Sequence, residues 1–251
     1  EMPKLIEKKT LTGHTAWVRS LAVSPDGKVL VSAGDDNCIK FWDIAAGRHF
    51  KTVKGHTAGV RQITFSPDGK QLAFVSDRTG GGDIYVLTLA SGDVKRLTFD
   101  DGNENLDSWS RDGKWIYFNS DRGGAWNIWR MPASGAGPGD KLAQQITNDE
   151  WEDWFPHPSP DGKRILFFSF PKGTVGHNDR MPGVRLRMTK PKPGAKIETL
   201  VEFFGGQGTI NVNSWSPDSK RFAFVVYEPF SNSPTPVRRY YEYGVEATGR
   251  P

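Results

Sequence analysis

Residues that could carry chemistry gather in three stretches of this 251-residue chain, each just ahead of a copy of one short turn. The first holds Asn103, Asn105 and Asp107. The second holds Glu152, Asp153 and His157, with Trp151 and Trp154 beside them, and the third Gln207, Asn211 and Asn213. Two chemistries fit these residue types. Amides, carboxylates and indole faces can bind a sugar or an acidic small molecule by stacking and hydrogen bonds. His157 and Asp153, with a further group such as His177 or Gln207, can hold a divalent cation. The competing reading is structural: polar side chains at strand ends satisfy backbone groups and bound water. On that reading Asp107, Asp153, Trp154, His157, Gln207 and Asn211 are not a ligand set.

Other chemistries are excluded more firmly. The serines sit in turn motifs rather than at a strand-to-helix elbow, so no nucleophile is activated. Gly80-Gly81-Gly82 reads as a hairpin turn, and Gly205-Gly206-Gln207-Gly208 precedes no helix, so neither is a phosphate loop. Glu152 and Asp153 are adjacent in a strand pattern, point to opposite faces and cannot act as a pair. The basic tract Arg180, Arg185, Arg187, Lys190, Lys192 and Lys196 reads as a solvated outer face rather than a nucleic-acid surface.

The elements that must position these residues are short strands around a repeated hairpin. Ser24-Pro25-Asp26-Gly27 recurs as Ser66-Pro67-Asp68-Gly69, Ser110-Arg111-Asp112-Gly113, Ser159-Pro160-Asp161-Gly162 and Ser216-Pro217-Asp218-Ser219. The turn aspartates stand 42, 44, 49 and 57 residues apart. Pro fixes φ at the first corner, Asp bonds its own backbone, and Gly takes a positive φ. Apolar runs flank every copy, such as Leu21-Ala22-Val23 and Val29-Leu30-Val31. One hairpin cannot bury both faces, whereas copies stacked around an axis can. The period and strand content predict a propeller-type repeat.

Composition agrees. Apolar residues make up 36% and charged residues 25%, a globular balance, and a net charge of +4 does not by itself call for nucleic acid. No run approaches the roughly 18 apolar residues of a membrane span. The single cysteine, Cys38, excludes an internal disulfide framework and is expected to be a small core residue. The opening Glu1-Met2-Pro3-Lys4 shows no secretory apolar region. The expectation is a cytoplasmic protein, or a periplasmic one whose export signal has been removed.

Two families are discernible in the repeats. Residues 11–56 resemble a WD40 repeat through Gly13-His14, the first Ser-Pro-Asp-Gly, and the run from Ser32 through Asp36 to Trp42-Asp43. That resemblance, extended over about residues 4–56, implies a buried hydrogen-bonded chain of His14, Asp36, Ser32 and Trp42 with a structural role. From about residue 57 to 228 the chain resembles TolB-like, PD40-type propeller repeats. The matching text includes Ser76-Asp77-Arg78, Phe118-Asn119-Ser120-Asp121-Arg122, Trp154-Phe155-Pro156-His157-Pro158 and Phe204–Val212. The mixture admits a chimeric or engineered chain and a natural bacterial propeller of mixed descent.

These resemblances imply a fold and a function. The expected fold is all-β: a single β-propeller of five four-stranded blades, over residues 13–56, 57–100, 101–149, 150–206 and 207–251. A strand within residues 1–12 closes the ring against the last blade, and six blades are the alternative. The expected function is a non-catalytic, monomeric scaffold that meets a protein partner at a loop face, with no catalytic residue and no cofactor. The alternative is a carbohydrate- or metal-binding propeller similar to oligogalacturonate lyase, with a divalent cation in the channel held by several histidines and a glutamine. His157 and Gln207 match that set, but the chain has too few histidines to complete it.

Overall fold

The computed structural model describes residues 9–176, 179–206 and 215–226, and the backbone of 239–244. The chain divides into two compact units, Glu1–Arg96 and Leu97–Pro251. The first unit holds two four-stranded antiparallel sheets in simple sequential order. Sheet one is β1 (Val18–Val23), β2 (Val29–Gly34), β3 (Ile39–Asp43) and β4 (Arg48–Val53). Sheet two is β5 (Ile63–Phe65), β6 (Gln71–Ser76), β7 (Asp83–Thr88) and β8 (Val94–Arg96).

The second unit repeats the pattern. Sheet three is β9 (Glu104–Trp109), β10 (Trp115–Ser120), β11 (Asn127–Pro132) and β12 (Gln144–Gln145), and sheet four is β13 (Glu152–Pro158), β14 (Ile165–Phe170), β15 (Met181–Thr189) and β16 (Glu198–Gly205). A last sheet pairs β17 (Arg221–Val226) with β18 (Arg239–Gly244), and Trp215 bridges to Phe222. The described residues therefore form four four-stranded sheets and one of two strands. Residues 9–12, part of the expected closing strand, lie in no strand, and the rest of that strand falls outside the described residues. Among the described residues no helix is long and apolar enough to cross a membrane.

The repeated turn makes each β-hairpin at the start of a sheet by one set of bonds. In all five copies the Ser hydroxyl donates to the Asp Oδ1 at 2.6–2.7 Å. The same Oδ1 accepts the backbone N–H of Lys28, Lys70, Lys114, Lys163 or Lys220 at 3.0–3.1 Å. The Ser oxygen accepts the next N–H at 2.9–3.0 Å. These bonds satisfy the corner donors that strand pairing leaves over. They hold each turn aspartate below the usual carboxylate range. The fourth position is left-handed throughout, φ 73, 68, 69 and 70° at the glycines and 61° at Ser219.

Period-two alternation then buries one face of each sheet against the next within a unit. Sheets one and two share a core of Val31, Ile39, Phe41, Ile63, Phe65, Leu72, Phe74, Tyr85 and Leu87. In the second unit Leu166, Phe168, Phe170, Leu186, Phe222 and Phe224 form one core, while Tyr117, Ile128, Ile165 and Phe167 form another. Burying each such side chain stabilises the fold by about 1.5–3 kcal/mol. Cys38 departs from expectation: it is half-buried, in the turn before β3, rather than in the core.

Candidate functional site

Each second strand carries a serine whose hydroxyl is bonded to other side chains. In sheet one the Trp42 indole N–H donates to Ser32 Oγ at 2.7 Å. Ser32 Oγ lies 2.6 Å from His14 Nε2, and His14 Nδ1 lies 2.9 Å from both Asp36 oxygens. One proton arrangement satisfies every member: indole to hydroxyl, hydroxyl to Nε2, Nδ1–H to carboxylate. Burial pushes the Asp36 carboxyl up, but bonds from His14 and the Thr15 amide outweigh it and hold it low. The four residues expected to form a chain do so.

The other three sheets place a serine two positions further along the second strand, where sheet one has Gly34, and give it different partners. In sheet two Arg78 Nε donates to Ser76 Oγ at 3.1 Å, and its Nη2 donates to His56 Nδ1 at 2.8 Å. The guanidinium lies over the Phe74 and Tyr85 rings. Burial, then the Arg78 charge, pushes the His56 imidazole down to about 4. In sheet three Ser120 Oγ donates to Glu104 Oε1 at 3.1 Å, and Arg122 donates to both Ser120 and Glu104, at 3.0 and 2.9 Å. Arg122 also pairs with Asp140 at 3.1 Å and lies over Phe118 and Trp129. In sheet four Ser169 Oγ donates to Asp153 Oδ1 at 2.6 Å. Arg187 donates to Ser169 at 3.1 Å and pairs with Asp149.

The candidate ligand residues fall differently into this arrangement. Asp153 is fully buried and belongs to the sheet-four cluster. Desolvation raises its carboxyl to about 7, against the pull of Arg187 and the Ser169 hydroxyl. Trp154 is buried, with its ring 4.2 Å from that of Trp126. His157 is buried, and its carbonyl accepts the Trp215 indole N–H at 3.0 Å. Between Trp154 and His157 the strand bulges, and Phe155 adopts φ 57°. The Asn119 side chain clamps that bulge, donating to Asp153 O at 2.6 Å and accepting from Phe155 N at 3.1 Å.

Asp107 is the extra residue of a bulge in β9, between the partners of Phe118 and Tyr117. Its Oδ2 is sealed from solvent, and desolvation holds its carboxyl well above the usual range. Gln207 and Asn211 lie outside the described residues, as does His177. Among the described residues no three His, Cys, Asp or Glu side chains come together so as to hold a metal ion.

A family model, the PD40 TolB beta propeller domain, matches residues 6–184. The chain belongs to the TolB propeller family. An uncharacterized protein of Agrobacterium fabrum strain C58 is 42% identical over 147 residues, 59% of this chain and 48% of the relative. The chain thus spans about half the length of that curated relative. A solved structure described as "putative TolB from Agrobacterium tumefaciens" is 28% identical with a TM-score of 0.55, covering 88% of this chain and 94% of the other. A shorter match, 57% identical over 37 residues, is to nuclear distribution protein PAC1 of Arthroderma otae, covering 15% of this chain and 8% of the relative.

Two features of this TolB-family chain escaped the sequence. Arg187, assigned to a solvated basic face, is 5% exposed and stands inside the sheet-four cluster. Its neighbour Arg185 is the outward one, paired with Glu202 and stacked 4.0 Å from the Trp151 ring centroid. The Arg78 and Arg122 roles carried a signal, since Ser76-Asp77-Arg78 and Ser120-Asp121-Arg122 repeat at the same distance from the preceding turn. Arg187 carried none, because it reaches Ser169 from the third strand rather than from the end of the second.

Proposed function

We propose that this chain is a non-catalytic TolB-type propeller acting as a rigid scaffold for a protein partner at a loop face. One observation carries the reading: in each four-stranded sheet the buried polar side chains around the second-strand serine are bonded to one another. Groups bonded in this way tie strands together, and the polar atoms that keep no hydrogen-bond partner among the described residues, Asp153 Oδ2 and His56 Nε2, are themselves buried. Asp153, the strongest acid candidate on β13, is among them.

The first repeat is read as a WD40-type blade within a TolB-type chain. The His14–Ser32–Trp42 chain supports that, as does a PAC1 match about as long as one such repeat. A ring of five blades, with six as the alternative, and a monomeric state belong to the same proposal. Light scattering on the full chain and on a version lacking residues 1–12 tests them.

The functional test is thermal unfolding of the full chain with Mn²⁺, Ca²⁺ or an oligogalacturonide, for wild type and His157→Ala. The scaffold reading expects no saturable rise in Tm. A rise abolished by His157→Ala replaces it with the metal- or sugar-binding reading.

A further inference from the structure

The first unit has a cleft of about 360 Å³ beside its two Ser-Pro-Asp-Gly turns. The turns pack closely: a Cβ on Gly69 would lie 3.3 Å from Pro25 Cδ. Aromatic rings supply the apolar part. Phe41 and Phe65 are buried, whereas Phe50, with its ring 6.1 Å from that of Phe41, is 53% exposed. Val29 and Leu89 complete the apolar lining.

Charge is placed around those rings. Asp26 and Asp68 line the cleft, one from each turn, against the single ammonium of Lys51. Bonds from the Ser24 and Ser66 hydroxyls and from the Lys28 and Lys70 amides keep both carboxyls ionised at neutral pH. Lys51 Nζ lies 5.6 Å from the Phe41 ring centroid, so the aromatic face already takes a cation. The volume is at the low end of the roughly 300–1,000 Å³ range of ligand pockets, room for one or two side chains. None of these residues belongs to a serine-centred cluster.

We propose that this cleft docks an extended peptide segment of a protein partner. One apolar side chain packs on Phe41, Phe50 and Phe65, and an adjacent Lys or Arg meets Asp26 and Asp68. Lys28 and Lys70 also act on Asp26 and Asp68, but within the lining two carboxylates face one ammonium, which favours a basic neighbour over an acidic one. The proposal rests on the scaffold reading in taking a protein as the occupant, and specifies a site beside the Ser-Pro-Asp-Gly turns.

The test is a titration of the ¹⁵N-labelled full chain with three acetylated hexapeptides: Leu flanked by Arg, the same with Glu for Arg, and the same with Ser for Leu. The Leu–Arg peptide should give saturable shifts confined to Gly27, Lys51, Gly69, Leu89 and their neighbours, and bind at least about tenfold more tightly than the other two. Phe50→Ser, at an exposed position, should weaken it by a similar factor, and Lys51→Glu should tighten it. Equal or better binding of the Glu peptide overturns the proposal. So does the absence of saturable shifts up to about 1 mM, or shifts elsewhere that Phe50→Ser leaves unchanged. A cation or sugar effect in the thermal assay removes the scaffold reading whatever the peptides do, so the two failures are distinguishable.

Discussion

Replacing Arg122 with Met tests the sheet-three cluster most severely. The Arg122 side chain is 6% exposed and faces two buried carboxylates, Glu104 at 0% and Asp140 at 4%, with the more exposed Asp100 at 4.0 Å. Methionine keeps an unbranched apolar stem but removes the guanidinium that lies over Phe118 and Trp129. Asp140 keeps the Phe99 and Asp100 amides, and Glu104 keeps Ser120. Neither set of neutral donors replaces a buried cation. Removing one partner of a buried pair costs about 3–5 kcal/mol, because the remaining charge is uncompensated. For a chain of this size that lowers Tm by about 6–20 °C.

Glu104→Gln placed in the Arg122→Met background should recover part of the loss, whereas alone it should destabilise. Urea unfolding of the four proteins measures this. A cost under about 1 kcal/mol, or no recovery in the double variant, would show that the cluster does not hold the sheet.

Other clusters give further expectations. The folded-state pKa of His56, about 4, is below its ordinary 6.5, so its contribution is complete above pH 6.5 and is lost as pH falls towards 4. Up to about 3 kcal/mol is involved, and His56→Gln should flatten that slope in acid unfolding curves. Asp153 has the opposite sign: its carboxyl is raised from 3.8 to about 7, so its effect lowers stability as pH rises through that window. Asp153→Asn should remove the fall. Asn119→Ala should cost about 2 kcal/mol by orphaning the buried Phe155 N–H and Asp153 carbonyl, and should speed hydrogen exchange at Phe155.

What was legible in the sequence was local. The Ser-Pro-Asp-Gly turns form as their residue types require, because the Ser–Asp bonds and the amide bonds that close each turn span five positions or fewer. Arg111 in place of Pro and Ser219 in place of Gly leave the bonding unchanged. The His14, Ser32, Asp36 and Trp42 chain was accessible through family resemblance, since all four positions match one repeat. Asp153 was misleading alone: an acid beside Trp154 and ahead of His157 has the appearance of a ligand set. Its structural partners, Ser169 and Arg187, lie 16 and 34 residues away. The shared principle, a buried second-strand serine, was obscured because it stands at Ser32 in sheet one but two positions later in the others, and its charged partners come from a preceding loop, the first strand, a following turn or the third strand.

The most direct test of that principle is the unfolding free energy of four single variants, Ser32→Ala, Ser76→Ala, Ser120→Ala and Ser169→Ala, against Ser91→Ala in an exposed turn. Each of the four removes a buried hydroxyl bonded to at least two side chains and should cost about 1–3 kcal/mol, with Ser91→Ala within about 0.5. If the four behave like Ser91→Ala, the buried polar groups are not what ties these sheets together, and the case for a purely structural role of Asp153 falls with them.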